Sequence, residues 1–363
     1  MKIKTEQLKE LVSKASIGVG NNKLIPITEL IGIKCVAGVF ELITTDATNY
    51  VYVQQQIEST KENDLEATIY AEQFVKLVGK LTSEYTEFQL ENGNLVVTAN
   101  GTYTLELPLD ENGEPVIYPD PLGTAVADVK AYEVGVEDIK KSIQIAKSSL
   151  ATTDDRPVLM NYYVGDSVFA TDGCLVTEFR KELFKKPQLV SPKLMDILGA
   201  FDEKKLLITV TDEFICCKSD TMAVYGKLSD DISEYEIDNV EQYISTKFPN
   251  VCKVNKAELL SAIDRISLFV SKYDNQAIRV MFDTDGIVIS NLKSGSTEEV
   301  QYIEKKSKVK KKVVPFEAYI NADMISTQLK SYVGDIVSIE YGVDFAISLV
   351  SEDTTQIISL MEV

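Results

Sequence analysis

The sequence predicts an α+β protein made of three similar domains, each pairing two amphipathic helices with β-strands. Two observations carry this. A long amphipathic helix occurs three times, and each copy is followed by the same succession of hairpin-like stretch, shorter helix and further strands, at a period of about 120 to 130 residues. Charge is also segregated: the helical segments gather lysines although the 363-residue chain has 37 Lys plus Arg against 56 Asp plus Glu.

The long helices are predicted in "TEQLKELVSKASI" from residue 5, "VEDIKKSIQIAKSSL" from 136 and "NKAELLSAIDRISLFVSK" from 255. In the second, Val136, Ile139, Ile143, Ala146 and Leu150 recur at spacings of three and four, which marks one buried stripe. Lys140 and Lys147 fall two turns apart on the same flank. Alternating residues after each helix, such as "ELIGIKCVAGVFELITTD" and "AIRVMFDTDGIVISNLKSG", predict strand pairs. The shorter helices follow in "YAEQFVKLVGKLT" from 70, "SPKLMDILGAFDE" from 191 and "NADMISTQLKSYV" from 321. Strands close each copy, with tight turns at "ENGN" and "TDEF".

Boundaries follow from composition. The Pro-rich "LPLDENGEPVIYPDPLG" closes the first copy, and "SDDISEYEIDNVEQYISTKFPN" reads as a polar connector before the third. The expected domains are 1–123, 124–245 and 246–363.

A hydrophobic content of 45% with 18 Gly and 10 Pro is enough for a substantial core. The amphipathic start lacks the apolar stretch of a signal peptide, so a cytoplasmic protein without membrane contact is expected. Five cysteines, Cys35, Cys174, Cys216, Cys217 and Cys252, include no C-x-x-C pair, which argues against a disulfide framework and a zinc site. The chain has no histidine, so the commonest general base and metal ligand is missing. No nucleophile elbow, Gly-rich phosphate loop or zincin motif occurs either. The expectation is no enzyme, no metal and no cofactor.

Across the six helical segments twelve basic residues stand against nine acids. They are Lys9, Lys14, Lys76, Lys80, Lys140, Lys141, Lys147, Lys193, Lys256, Arg265, Lys272 and Lys330. Helices facing one shared channel would turn these toward a polyanion while the acidic exterior repels it. The run "EKKSKVKKK" at 304–312 is a separate basic feature, expected as a solvated loop.

Taken together with "LIPITELIGIKC" and "ITTDATNYV", "DDRPVLMNYY" and "VFATDGCLVTEFR", "LLSAIDRISLF" and the terminal "QIISLMEV", this organisation resembles the bacterial sliding clamp family, the beta subunit of DNA polymerase III. The resemblance runs from end to end and implies the DNA clamp fold. It also implies a head-to-tail homodimer closing a six-domain ring, with helices lining the hole and double-stranded DNA inside. The twelve basic residues would then face DNA without reading its sequence. Partners, the polymerase catalytic subunit and the clamp loader, would dock a peptide in a pocket. By matching motif, that pocket would use Leu159, Thr171, Gly173, Cys174, Leu175, Val176, Ile357, Ser359, Leu360 and Met361, with Gln242 and Tyr243 placed by spacing. Tyr103 and Leu105 would meet Leu268 and Phe269 at the ring interface.

The family's His-Arg pair after "TDG" is here Cys174 and Leu175, and its Pro-Met-Arg-like end is Leu360, Met361 and Glu362. These departures point to a divergent clamp of the kind a phage or other mobile element carries. The alternative is a clamp-fold protein that sequesters clamp-binding partners without encircling DNA.

Overall fold

A computed structural model of the chain describes residues 1–57, 64–121, 130–229, 231–271, 273, 275–293, 295–303 and 315–362. Lys272 and the 304–312 lysine run lie outside them. The chain divides into two compact units, one of Met1–Glu137 with Lys193–Leu228 and one of Asp138–Pro192 with Ser229–Val363.

Each unit holds one eight-stranded and one four-stranded antiparallel sheet. In the first unit, sheet I runs in the order Leu65–Tyr70, Leu30–Val36, Val39–Thr45, Asn49–Gln56, Met222–Lys227, Phe214–Lys218, Lys205–Val210, Tyr132–Gly135. Sheet II is Lys2–Lys4, Tyr85–Glu91, Asn94–Thr98, Thr102–Glu106. In the second unit, sheet III is Gln188–Val190, Tyr162–Val164, Val168–Thr171, Leu175–Phe179, Thr354–Ser359, Ala346–Val350, Ile336–Tyr341, Asn250–Asn255. Sheet IV is Thr297–Gln301, Gly286–Asn291, Ala277–Phe282, Phe316–Asn321. The eight-stranded sheets are joined in matching ways: Asn49–Gln56 pairs with Met222–Lys227, and Leu175–Phe179 pairs with Thr354–Ser359.

The helices are α1 (Thr5–Ala15), α2 (Ala71–Lys80), α3 (Val136–Ala146), α4 (Pro192–Gly199), α5 (Ile237–Ile244), α6 (Lys256–Ser267) and α7 (Ala322–Ser331). Most start directly off a strand, where a backbone carbonyl elsewhere in the fold takes up an orphan amide: Thr5 N–H donates to Glu84, Val136 to Lys204, Lys256 to Asp335 and Ala322 to Gln276. Asn255 and Asn321 add side-chain caps to α6 and α7, accepting from the amides of Glu258 and of Asp323 and Met324. On α3, Val136, Ile139 and Ala146 are buried and Ile143 is half-buried; Ile145 is buried as well.

Sheet III is covered on both faces. On one face Leu175, Ile347, Leu349 and Ile358 share a core with Leu259, Ile263 and Ile266 of α6 and Ile325 and Leu329 of α7. On the other, Leu159, Phe169, Val176, Ala346 and Ile357 pack with Tyr235 and Val240. The segment expected as a polar connector therefore contains a 3-10 turn, Ile232–Tyr235, and helix α5. Ile237, Val240 and Ile244, at spacings of three and four, supply the apolar stripe that docks it.

Candidate functional site

The site grows from the turn after Val168–Thr171. Asp172 Oδ1 accepts from the amides of Cys174 and Leu175 at 2.8 and 2.7 Å. Thr171 Oγ1 donates to the Leu175 carbonyl at 2.7 Å and accepts from the Gly173 amide at 3.1 Å. Gly173 sits at φ +93°, the left-handed region that glycine enters without strain. The first unit has the same turn, with Asp46 Oδ1 accepting from Thr48 and Asn49 and Ala47 at φ +82°.

Facing this turn, α5 closes one wall of a cavity of about 680 Å³. Leu159, Val176, Tyr235 and Val240 give it an apolar floor; Thr171, Asn239, Gln242, Thr246 and Ser359 give it hydroxyls and amides. Tyr243 and Phe345 stand at its rim edge to face, with ring centroids 6.2 Å apart, and both are exposed. Arg156 and Glu236 also line it and pair at 3.6 Å, and the Asn239 amide donates to the same Glu236 oxygen at 3.2 Å. Glu236 caps α5 from the left-handed region, at φ +51°.

Tyr235 is 1% exposed, its ring lies 5.3 Å from that of Tyr163, and its hydroxyl has no hydrogen-bond partner among the described residues. Burial, with Tyr163 adding to it, raises its pKa far above the ordinary phenol value. Burial and then Asp172 push the Cys174 thiol up, so this exposed cysteine is held as a neutral thiol.

Of the pocket residues expected from sequence, Leu159, Thr171, Gly173, Val176, Gln242, Tyr243 and Ser359 line the cavity. Ile357 lies beneath it in the same apolar cluster. Leu175 does not line it. As the neighbour of Val176 on a strand it points to the opposite face, where it is 3% exposed in the helix-side core. Leu360 packs on that same core, and the Met361 amide is spent on the Tyr319 carbonyl at 2.8 Å; neither is among the lining residues, nor is Cys174. Sequence reasoning missed Arg156, Tyr235, Glu236, Asn239, Val240, Thr246 and Phe345. The signal for most of them was the stripe of α5.

The basic residues also divide. Lys14 is paired with Asp202 and Lys76 with Glu72. Arg265 makes a two-pronged pair with Glu298 at 2.7 and 3.0 Å, and Lys256 donates to the Tyr332 carbonyl at 2.9 Å. These four are tied down by their own unit. Lys80, Lys140, Lys141, Lys147 and Lys330 are exposed, and Lys9 and Lys193 are half-buried.

At the expected interface, Leu105 is 4% exposed inside sheet II and Tyr103 is half-buried. Leu268 and Phe269, just past α6, are 81% and 58% exposed. Strands Thr102–Glu106 and Thr297–Gln301 are edges of their sheets. Among the described residues no group of three or more Cys, Asp or Glu is placed to hold a metal ion, and no helix is long and apolar enough to cross a membrane.

No protein-family model matches the sequence, and no curated protein matches it. Solved structures do. The DNA polymerase sliding clamp from Bacillus subtilis superposes with a TM-score of 0.84 at 18% identity, covering 100% of this chain and 98% of that one. The sliding clamp from Pseudomonas aeruginosa gives 0.82 at 16% identity over 100% and 99%. The DNA polymerase III beta subunit from Thermotoga maritima gives 0.83 at 15% identity, again over 100% and 99%. The likeness runs the full length of the chain at low sequence identity, and the chain has the fold of the DNA polymerase sliding clamps.

Proposed function

We propose that this chain is a non-catalytic processivity factor, a sliding clamp whose head-to-tail homodimer encircles double-stranded DNA and tethers a polymerase through the groove beside α5. One observation carries the ring. In three sequence repeats, 1–123, 124–245 and 246–363, the strands Asn49–Gln56, Leu175–Phe179 and Thr297–Gln301 occupy equivalent places, as do Thr102–Glu106, Met222–Lys227 and Thr354–Ser359. Two members of the first set are already paired with two of the second. Thr297–Gln301 and Thr102–Glu106 are left over. Joining them between two copies by the same antiparallel rule adds two eight-stranded sheets to the four that the copies already hold, six in all, and removes both edges.

Exposed Leu268 and Phe269 beside the leftover strand supply apolar area for that joint. The exposed helix lysines supply point charges for phosphates, which hold DNA without fixing a register. Retention then comes from topology.

Light scattering tests the assembly. The intact chain is expected at twice its monomer mass, and Leu268→Asp with Phe269→Asp, both at exposed sites, is expected to give folded monomers. A wild-type monomer at micromolar concentration would refute the ring and favour the reading in which the protein sequesters clamp-binding partners.

A further inference from the structure

The groove has an electrostatic character that its apolar floor does not dictate. Between residues 231 and 246 the connector carries Asp231, Glu234, Glu236, Asp238 and Glu241 and no lysine or arginine. Asp172 stands in the turn opposite. Among the described residues lining the cavity, Arg156 is the one cation, and Glu236 already neutralises it. Groups around the site report the same field. After burial, the acids Glu241, Asp166 and Asp238 hold the Tyr163 phenol up, and Asp172 holds up the Cys174 thiol, with no cation opposing either.

Two further features mark the groove. The exposed Tyr243 and Phe345 rings at the rim offer π faces, which attract guanidinium and ammonium groups. The Tyr235 hydroxyl, buried in the wall of the cavity, has no hydrogen-bond partner among the described residues.

We propose that the occupant of this groove is a partner segment with an aliphatic anchor flanked by arginine or lysine. The anchor fills the floor formed by Leu159, Val176 and Val240. The cationic flank lies on the Tyr243–Phe345 pair within the acidic surround of α5. Acidic flanks are disfavoured, since a carboxylate there meets like charge and the one cation among the described lining residues, Arg156, is already paired with Glu236. The proposal rests on the reading of the groove as the tethering site and narrows the partners to basic ones.

The test uses the full-length protein and three fluorescein-labelled peptides sharing a Leu-Leu anchor, flanked by Arg, Ser or Glu. Fluorescence anisotropy is expected to rank them Arg, Ser, Glu, spanning about tenfold in Kd at low salt and converging at high salt. The pair Asp238→Asn with Glu241→Gln, both at exposed positions outside the lining, is expected to shrink the Arg advantage while leaving the Ser peptide bound. Equal binding of the three peptides, or a preference for Glu, overturns the charge proposal while the groove reading stands. Failure of all three to bind overturns both.

Discussion

Tyr118 in the connector of the first unit and Tyr235 in that of the second are both buried on the face of an eight-stranded sheet away from the long helices. Tyr118 packs with Leu30, Ile43, Tyr52 and Ala223, its hydroxyl donates at 3.4 Å to the Leu30 carbonyl, and nearby Asp120 accepts from Tyr52 at 2.9 Å. It lies so close over Gly32 that a Cβ there would stand 2.8 Å from its own Cβ and Cγ. In the second unit Tyr163 lies on the strand that follows the corresponding 3-10 turn, and Tyr235 packs against it at a tilt of 31°, its hydroxyl without a partner among the described residues beside the 680 Å³ cavity. One connector seals its sheet with an irregular, hydrogen-bonded strap; the other folds into a helix and leaves a groove. Two copies of one architecture thus differ at the same place through their linkers: one covers its sheet, and the other leaves an open cavity beside it.

Removing the strap's anchor should have the greatest consequence for the first unit. Tyr118→Ala is expected to cost about 3–5 kcal/mol of stability, read by urea unfolding, while binding of the Leu-Leu peptides to the second unit stays unchanged. A loss of peptide binding in a still-folded Tyr118→Ala variant would show that the two junctions are not independent.

A smaller effect sharpens it. Tyr118→Phe should cost less than about 1 kcal/mol by removing long hydrogen bonds, whereas Tyr235→Phe should be neutral or slightly stabilising, since no protein partner is lost. Both phenols have folded pKa values raised above the ordinary 10.0, chiefly by burial. Their contribution is therefore complete below about pH 10, where the unfolded phenol is neutral too, and is lost as pH climbs above that value. Unfolding free energy measured from pH 8 to 11 should fall at the alkaline end, and each Phe variant should flatten the fall. An unchanged slope in both variants would contradict the buried, neutral phenols.

Much of this was legible in the sequence because it is local. The three-and-four spacing fixed the helices, and the Thr-Asp-Gly turn was readable because one aspartate caps two amides a few residues away. What stayed hidden is non-local. Alternation along Leu175–Phe179 says that Leu175 and Val176 point opposite ways, but with apolar layers on both faces it cannot say which one meets the groove. A charge placed at Leu175 would therefore strike the core and not the pocket. Counting lysines on helices likewise cannot reveal that Arg265 meets Glu298, or Lys14 meets Asp202, across the fold. The acids between 231 and 246 masked α5, since polar content suggested a loop while Ile237, Val240 and Ile244 carried the weaker periodic signal.

In the proposed ring, positive helix side chains surround DNA. Retention on DNA tests it most directly: once loaded, the protein should remain on a closed circle through gel filtration in high salt and be lost when one cut makes the circle linear. Equal loss from circular and linear DNA would contradict encirclement.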